Sequence, residues 1–200
     1  MYCLLLAGPP ASGKSVLAAR LGKGLGIPVF SKDGFKERLF DRLGFSCREE
    51  KVALGLAAAD LLWDCARSML EAGQPFLLEN NFETATKGDL VALLRGYDCK
   101  PLVLRLETEL PVLYRRFCKR DRSSERHRGH VVNTCYPEAL PGEEPRVIPF
   151  EDFCRGMRER GFLEFSLEEE IPSAQLLTLD TTDFARIDYG ALLETLREVL

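Results

Sequence analysis

Short, nearly unbroken apolar runs alternate along the chain with longer stretches in which apolar residues return every three or four positions. The short runs are residues 2–7, 27–31, 75–79, 101–105 and 176–179. Polar residues hardly interrupt them, as expected of strands covered on both faces of a parallel sheet. Helical periodicity fills the gaps at about 14–25, 33–43, 49–72, 87–94, 110–121, 151–160 and 188–199. Strands alternating with helices predict βαβ units and a parallel sheet, an α/β architecture.

The punctuation agrees with this reading. Gly26, with Pro28 behind it, ends the first helix in the usual glycine-then-proline manner. Ser46 and Glu49 stand at capping-box spacing before the long third helix, and Gly73 before Pro75 closes it. The least regular stretch runs from about 122 to 149 and is broken by Pro137, Pro141, Pro145 and Pro149. So long a loop in a compact domain is usually functional, so the region of about 115–149 is expected to be a lid on a single domain spanning 1–200.

Composition changes this picture little. A chain of 200 residues buries roughly 70% of its unfolded surface and needs no disulfide or structural metal. Seven cysteines without a CxxC pair point to free thiols in a reducing compartment. The apolar run at 2–7 lacks a basic leader and is too short for a signal peptide, and no stretch approaches a membrane span, so a cytoplasmic location is expected. Charge is more informative. The net charge is −4, yet residues 115–130 hold seven Lys or Arg against Asp121 and Glu125, a local +5 that leaves −9 elsewhere. The basic stretch therefore needs a local explanation.

The strongest chemical signal is Gly8-Pro9-Pro10-Ala11-Ser12-Gly13-Lys14-Ser15, which fits G-x-x-x-x-G-K-[ST] between a predicted strand and a predicted helix. Glycines let backbone N–H groups curl around phosphate oxygens, and the next helix turns its positive end towards them. Gly8, Ala11, Ser12, Gly13, Lys14, Ser15 and Val16 are thus expected to cradle ATP. Lys14 would reach the β- and γ-phosphates, and the Ser15 hydroxyl would ligate Mg²⁺. The bland alternative is a glycine-rich turn with no ligand. No N-K-x-D guanine-reading motif and no L-S-G-G-Q element occurs, and the chain is short for an AAA-type motor. A kinase remains.

Asp33, in Ser31-Lys32-Asp33, follows the second predicted strand at the sheet edge where α/β folds bind ligands. A carboxylate there can accept the proton of an attacking hydroxyl; it could equally be the N-cap of the helix behind it. Glu79, before Asn80 and Asn81, ends the third strand at the Walker-B place, where an acid supports Mg²⁺; a polar strand end held by turn hydrogen bonds is the alternative. On the helix 110–121, Arg115 pairs with Lys119 and Arg116 with Arg120 at i,i+4 spacing, with no interleaved glutamate. They read either as a solvated face or as lid cations over the transferred phosphoryl group. His127 and His130 with Cys118 and Cys135 fit no common zinc spacing, so contact with phosphate or substrate is preferred. Arg38, Asn81 and Arg126 join Asp33 as candidate substrate contacts. Thr181, leaving the last strand, is a candidate for the nucleotide base or an ordinary turn residue.

With these elements in this order, the chain resembles small P-loop kinases, above all the kinase domain of polynucleotide 5′-kinases and more distantly zeta-toxin and chloramphenicol phosphotransferase kinases. The resemblance implies a five-stranded parallel sheet of order 2-3-1-4-5 with helices on both faces. It implies that Asp33 is the general base, that Arg116 and Arg120 contact ATP and the transition state, and that Glu79-Asn80-Asn81 stands for the family's D-x-N element. The D-G-x-P-R element of nucleoside monophosphate kinases is missing. The acidic balance outside the lid favours a small hydroxyl compound as acceptor. A polynucleotide 5′-hydroxyl is the second reading, and a nucleotide-dependent switch or partner-binding ATPase without an acceptor the third.

Overall fold

The structure, a computed structural model, describes residues 2–97, 99–138, 145 and 147–199. Pro141 and most of the expected lid segment 139–146 lie outside the described residues. Five strands, β1 (Tyr2–Ala7), β2 (Val29–Ser31), β3 (Phe76–Glu79), β4 (Lys100–Glu107) and β5 (Gln175–Asp180), form one parallel sheet in the order β2-β3-β1-β4-β5. This is the predicted order. The helices are α1 (Lys14–Leu25), α2 (Lys32–Leu43), α3 (Arg48–Glu71), α4 (Thr84–Arg95), α5 (Leu110–Asp121), α6 (Arg128–Val131), α7 (Phe150–Glu159) and α8 (Tyr189–Val199).

Strand alternation sorts the core into two layers, because successive side chains leave a strand on opposite faces. Cys3, Leu5 and Ala7 of β1 join Leu62, Ala66 and Leu70 of α3 and Leu90 and Leu94 of α4. Leu4 and Leu6 join Leu17 and Leu21 of α1 and Leu196 of α8 on the other face. That is why β1 reads as unbroken apolar sequence. All seven cysteines are unbridged thiols, and no helix among the described residues is long and apolar enough to cross a membrane.

Several boundaries differ from the sequence reading. The second strand begins at Val29 rather than residue 27, because the Ile27 N–H closes the end of α1 on the Gly22 carbonyl (3.1 Å). β4 and β5 each run beyond their apolar runs, since β4 lies between β1 and β5 and each pairing extends the ladder. α4 starts one turn early, at Thr84. The capping partner of Ser46 is Glu50, not Glu49. With Cys47 at the N-cap, the carboxylate of Glu50 accepts from the Ser46 backbone N–H (2.6 Å) and hydroxyl (2.8 Å). Asp33 is not a helix cap either: Ser31 caps α2, its Oγ accepting from the Gly34 N–H (3.3 Å), and Asp33 lies inside the first turn. The stretch read as irregular contains the single turn α6 and an antiparallel bridge between Phe45 and Tyr136.

Candidate active site

The loop from β1 to α1 opens the site. Gly13 occupies the N-cap of α1 at φ 94°, a left-handed conformation in which a side chain is strained. α1 has no side-chain cap and no acidic residue in its first turn. Its leading N–H groups are therefore left to an external acceptor, and an anion is the natural one. Ala11 also lies at positive φ, 69°, strain of the kind that gathers at ligand cradles. The Ser12 hydroxyl is buried without a hydrogen-bond partner among the described residues.

Lys14 is buried, and its ammonium donates to the Pro9 carbonyl (2.8 Å). Burial pulls its pKa down to about 8; Glu79 and Asp33 oppose the fall, and Arg120 and Arg126 deepen it. The Ser15 hydroxyl lies 3.5 Å from the Glu79 carboxylate, which also accepts from Ser31. Burial raises the Glu79 pKa against the pull of Lys14. A hydroxyl and a carboxylate side by side form a hard-oxygen donor set, the type Mg²⁺ takes.

Asp33 reaches the same cleft from the first turn of α2. Burial alone would raise its pKa, yet the net shift is downward, through His130, Arg126, Lys36 and Lys14. Burial holds His130 below its usual value, so near neutral pH the three fixed cations carry most of this effect. The Asp33 carboxyl is thus ionised and faces the cradle across a cleft of about 600 Å³.

The basic helix divides. Arg116 and Arg120 of α5 line the cleft, whereas Arg115 and Lys119 lie outside it on an exposed face. Arg116 donates to the carbonyls of Thr181 (2.7 Å) and Thr182 (2.9 Å), and its guanidinium lies 3.8 Å from the centre of the Phe184 ring. Arg120 is bound to Asp121 at 3.1 Å. Arg126 lies in the cleft beside it, 3.9 Å from the same carboxylate.

His130 lines the cleft and meets Glu37 at 3.0 Å. His127 lies behind it. Its Nδ1 accepts from the Gly129 N–H, which leaves Nε2 to donate to Asp41 (3.0 Å). Both imidazoles therefore dock the 127–131 segment on α2, around the buried ring of Phe40.

Of the remaining expected residues, Gly13, Ser15, Val16 and Asn81 line the cleft. Arg38 does not: it is exposed on the outer side of α2, and Lys36 is the basic residue of that helix that faces in. Thr181 does not reach the cleft either. It is fully buried, with its hydroxyl hydrogen-bonded to the Glu107 carbonyl (3.0 Å) and to Thr108 (2.7 Å). Phe184, three residues beyond Thr181, supplies the cleft-facing side chain of that loop. Lys36, Glu83, Arg160 and Phe184 escaped the sequence reading. Lys36 was within reach of it, three residues after Asp33 on a predicted helix face. Nothing local distinguishes the other three.

A parallel sheet in this order, with the phosphate cradle at the first strand and the lysine aimed into it, defines a P-loop fold of the kinase type, a nucleotide-binding fold. The chain belongs to the AAA domain family, which matches residues 4–134, from β1 to just beyond α6. Chain length argued against an AAA-type motor, and the matched region is the cradle, the Asp33 segment and the basic helix.

Comparison with curated proteins gives no match. Among solved structures, a Chloroflexus aurantiacus J-10-fl protein named provisionally as a kinase is similar at 29% identity. Its TM-score is 0.77, with 100% of this chain and 98% of that one covered. A gluconokinase from Sinorhizobium meliloti 1021 shares the fold at 15% identity and TM-score 0.53, covering 98% and 93% of the two chains. A sugar kinase from Janibacter sp. HTCC2649 does so at 16% and 0.51, covering 98% and 91%.

Proposed function

We propose that the protein is an ATP-dependent kinase that transfers the γ-phosphate to a hydroxyl of a small molecule. The observation that carries this reading is the ionised Asp33 carboxylate, which shares one cleft with Lys14 and faces the uncapped start of α1. The kinase names of the structures that share the fold support it at the level of reaction type.

ATP supplies the phosphoryl group, and Mg²⁺ the charge neutralisation such transfers require. Ser15 and Glu79 are the residues that would hold the metal. The first-turn amides of α1 and Lys14 bind the phosphates. Asp33 takes the proton from the acceptor hydroxyl as the hydroxyl oxygen bonds to the γ-phosphorus and the bond to the bridging oxygen of ADP breaks. General-base assistance of this kind is worth about 10²–10⁴-fold. Arg120 and Arg126, on the lid side, stabilise charge on the transferring oxygens, and Arg116 fixes the base-side loop through Thr181 and Thr182.

An exposed basic depression formed by Arg115, Lys119 and Arg122, with Tyr114 and Cys118 beside it, favours the polynucleotide acceptor as second reading. Purified protein with Mg²⁺ and γ-labelled ATP separates these readings when supplied with small hydroxyl metabolites or with a 5′-hydroxyl oligonucleotide. Label in the metabolites, lost in Asp33→Ala while ATP binding persists, is the expected result. Label on the oligonucleotide alone overturns the small-molecule acceptor. Free phosphate alone, unchanged in Asp33→Ala, removes Asp33 from the mechanism and favours a switch.

A further inference from the structure

The cleft holds cations beyond those on its nucleotide side. Seven Lys and Arg side chains line it against four carboxylates. Lys14, Arg116 and Arg120 belong to the nucleotide side. Lys32, Lys36, Arg126 and Arg160 remain around Asp33.

Two of these are the informative ones. Lys36 is one helical turn from Asp33 on the same face of α2 and is half-buried. Among the described residues its ammonium makes no hydrogen bond and no ion pair; its one polar-type contact is the face of Phe40, 5.4 Å away. The opposing helix leaves room for it at Gly55, where a Cβ would stand 3.4 Å from the Lys36 Cε and Nζ. The Arg126 guanidinium donates no hydrogen bond to a described residue, and its Nε is buried without an acceptor among them. Its nearest carboxylate, Asp121, is 3.9 Å away and already takes both bonds from Arg120. Burial holds both groups below their ordinary pKa values, with Lys32 and Arg126 deepening the fall at Lys36 and Arg120 at Arg126, while Asp33 opposes it at both. Cations held in a half-buried site with their hydrogen-bonding capacity unfilled are unfavourable unless an anion completes them.

We propose that the acceptor is itself an anion, a small hydroxyl compound whose phosphate or carboxylate group is held by Lys36 and Arg126 while its hydroxyl faces Asp33. The proposal rests on the kinase reading above. Residues one turn apart on a helix carry side chains separated by about 5–6 Å at Cβ. The anionic group and the reacting hydroxyl of the acceptor are therefore a few bonds apart, as in a hydroxy acid or a sugar phosphate. Arg126 offers a planar fork that suits either anion, and Lys36 a point charge.

The acceptor need not be identified before the test. A small-molecule filtrate of cell extract is divided by anion exchange into bound and flow-through pools. Each is incubated with the full chain, Mg²⁺ and γ-labelled ATP, beside the macromolecular retentate. The expected result is a labelled product from the bound pool only, absent with Asp33→Ala. Lys36→Met should then raise the half-saturating amount of that pool about 10- to 100-fold, as loss of a charge-assisted hydrogen bond does. The KM for ATP should stay within about twofold of wild type, since Lys36 lies on the acceptor side, and Lys36→Arg should recover part of the loss. Phosphatase treatment of the bound pool before the assay distinguishes the two anions: loss of the acceptor identifies a phosphate, survival a carboxylate. Label from the flow-through pool, or a Lys36→Met enzyme with unchanged acceptor saturation, overturns this proposal and leaves the kinase reading standing. Label in the retentate alone overturns the small acceptor. No label in any pool overturns the kinase reading and this proposal with it.

Discussion

At the residue scale, Lys14 occupies a place that suits a phosphate better than it suits a lone ammonium group. Its pKa of about 8 reflects burial beside two arginines, and bound phosphates would raise it again. Above pH 8 MgATP binding must therefore take up a proton, and affinity falls as pH rises. Titrations should show a constant Kd up to about pH 8 and then weakening by up to about tenfold per unit. Asp33 behaves in the opposite sense. Its folded pKa lies below the ordinary carboxylate value, so it is a competent base at neutral pH, and the stability it contributes fades only as pH falls through that lowered value. Asp33→Asn should leave MgATP binding within about twofold and reduce transfer about 10²–10⁴-fold, read from kcat with labelled ATP. Lys14 was legible in sequence because the motif fixes its place, and Asp33 because it follows the second apolar run at the sheet edge where such folds bind ligands. The occupancy of Thr181 and the outward turn of Arg38 were not, because each depends on neighbours from distant parts of the chain: Glu107 and Thr108 for Thr181, and the packing of α2 for Arg38.

At the scale of elements, α2 joins the edge of the cleft to the segment that carries His127, His130 and Tyr136. Ser31 caps it and also donates to Glu79, so Ser31→Ala should cost about 1 kcal/mol of stability by urea unfolding. It should also weaken metal-dependent binding of ATP, because Glu79 loses a partner that positions it. Further along the helix, His130 meets Glu37 and His127 meets Asp41. Burial keeps the His130 pKa below its ordinary 6.5. The unfolded chain therefore binds a proton in the window just under that value that the folded chain refuses, and stability falls as pH drops through it. Urea midpoints measured between pH 7 and 5.5 should decline, and His130→Asn should flatten the decline. The elements themselves were predictable wherever an apolar period was strong. Their ends moved where a particular helix-end hydrogen bond intervened, as with Ile27 on Gly22 and Glu50 on Ser46.

For the whole molecule, α5 stands between two partners. It packs on α7 through Leu113, Phe153 and Met157, a cluster that also touches Ala11 of the cradle, and it ties the loop after β5 through Arg116. A nucleotide seated in the cleft should hold these parts together. A nonhydrolysable ATP analogue with Mg²⁺ at about a hundred times its Kd is expected to stabilise the fold by about 2.7 kcal/mol, a rise of about 5–10 °C in Tm for a chain of this size. Arg120→Ala should reduce that rise while leaving the unliganded Tm nearly unchanged, because among the described residues this arginine binds only the adjacent Asp121 and the Phe117 ring. The sequence by itself determined the parallel α/β architecture and the cradle, since strand burial and the glycine–lysine spacing are local properties written in consecutive residues. Tertiary structure alone decided the rest of the lining. Glu83, Arg160 and Phe184 come from three separate segments, and only the closure of the sheet and the docking of the helices around it bring them to one space.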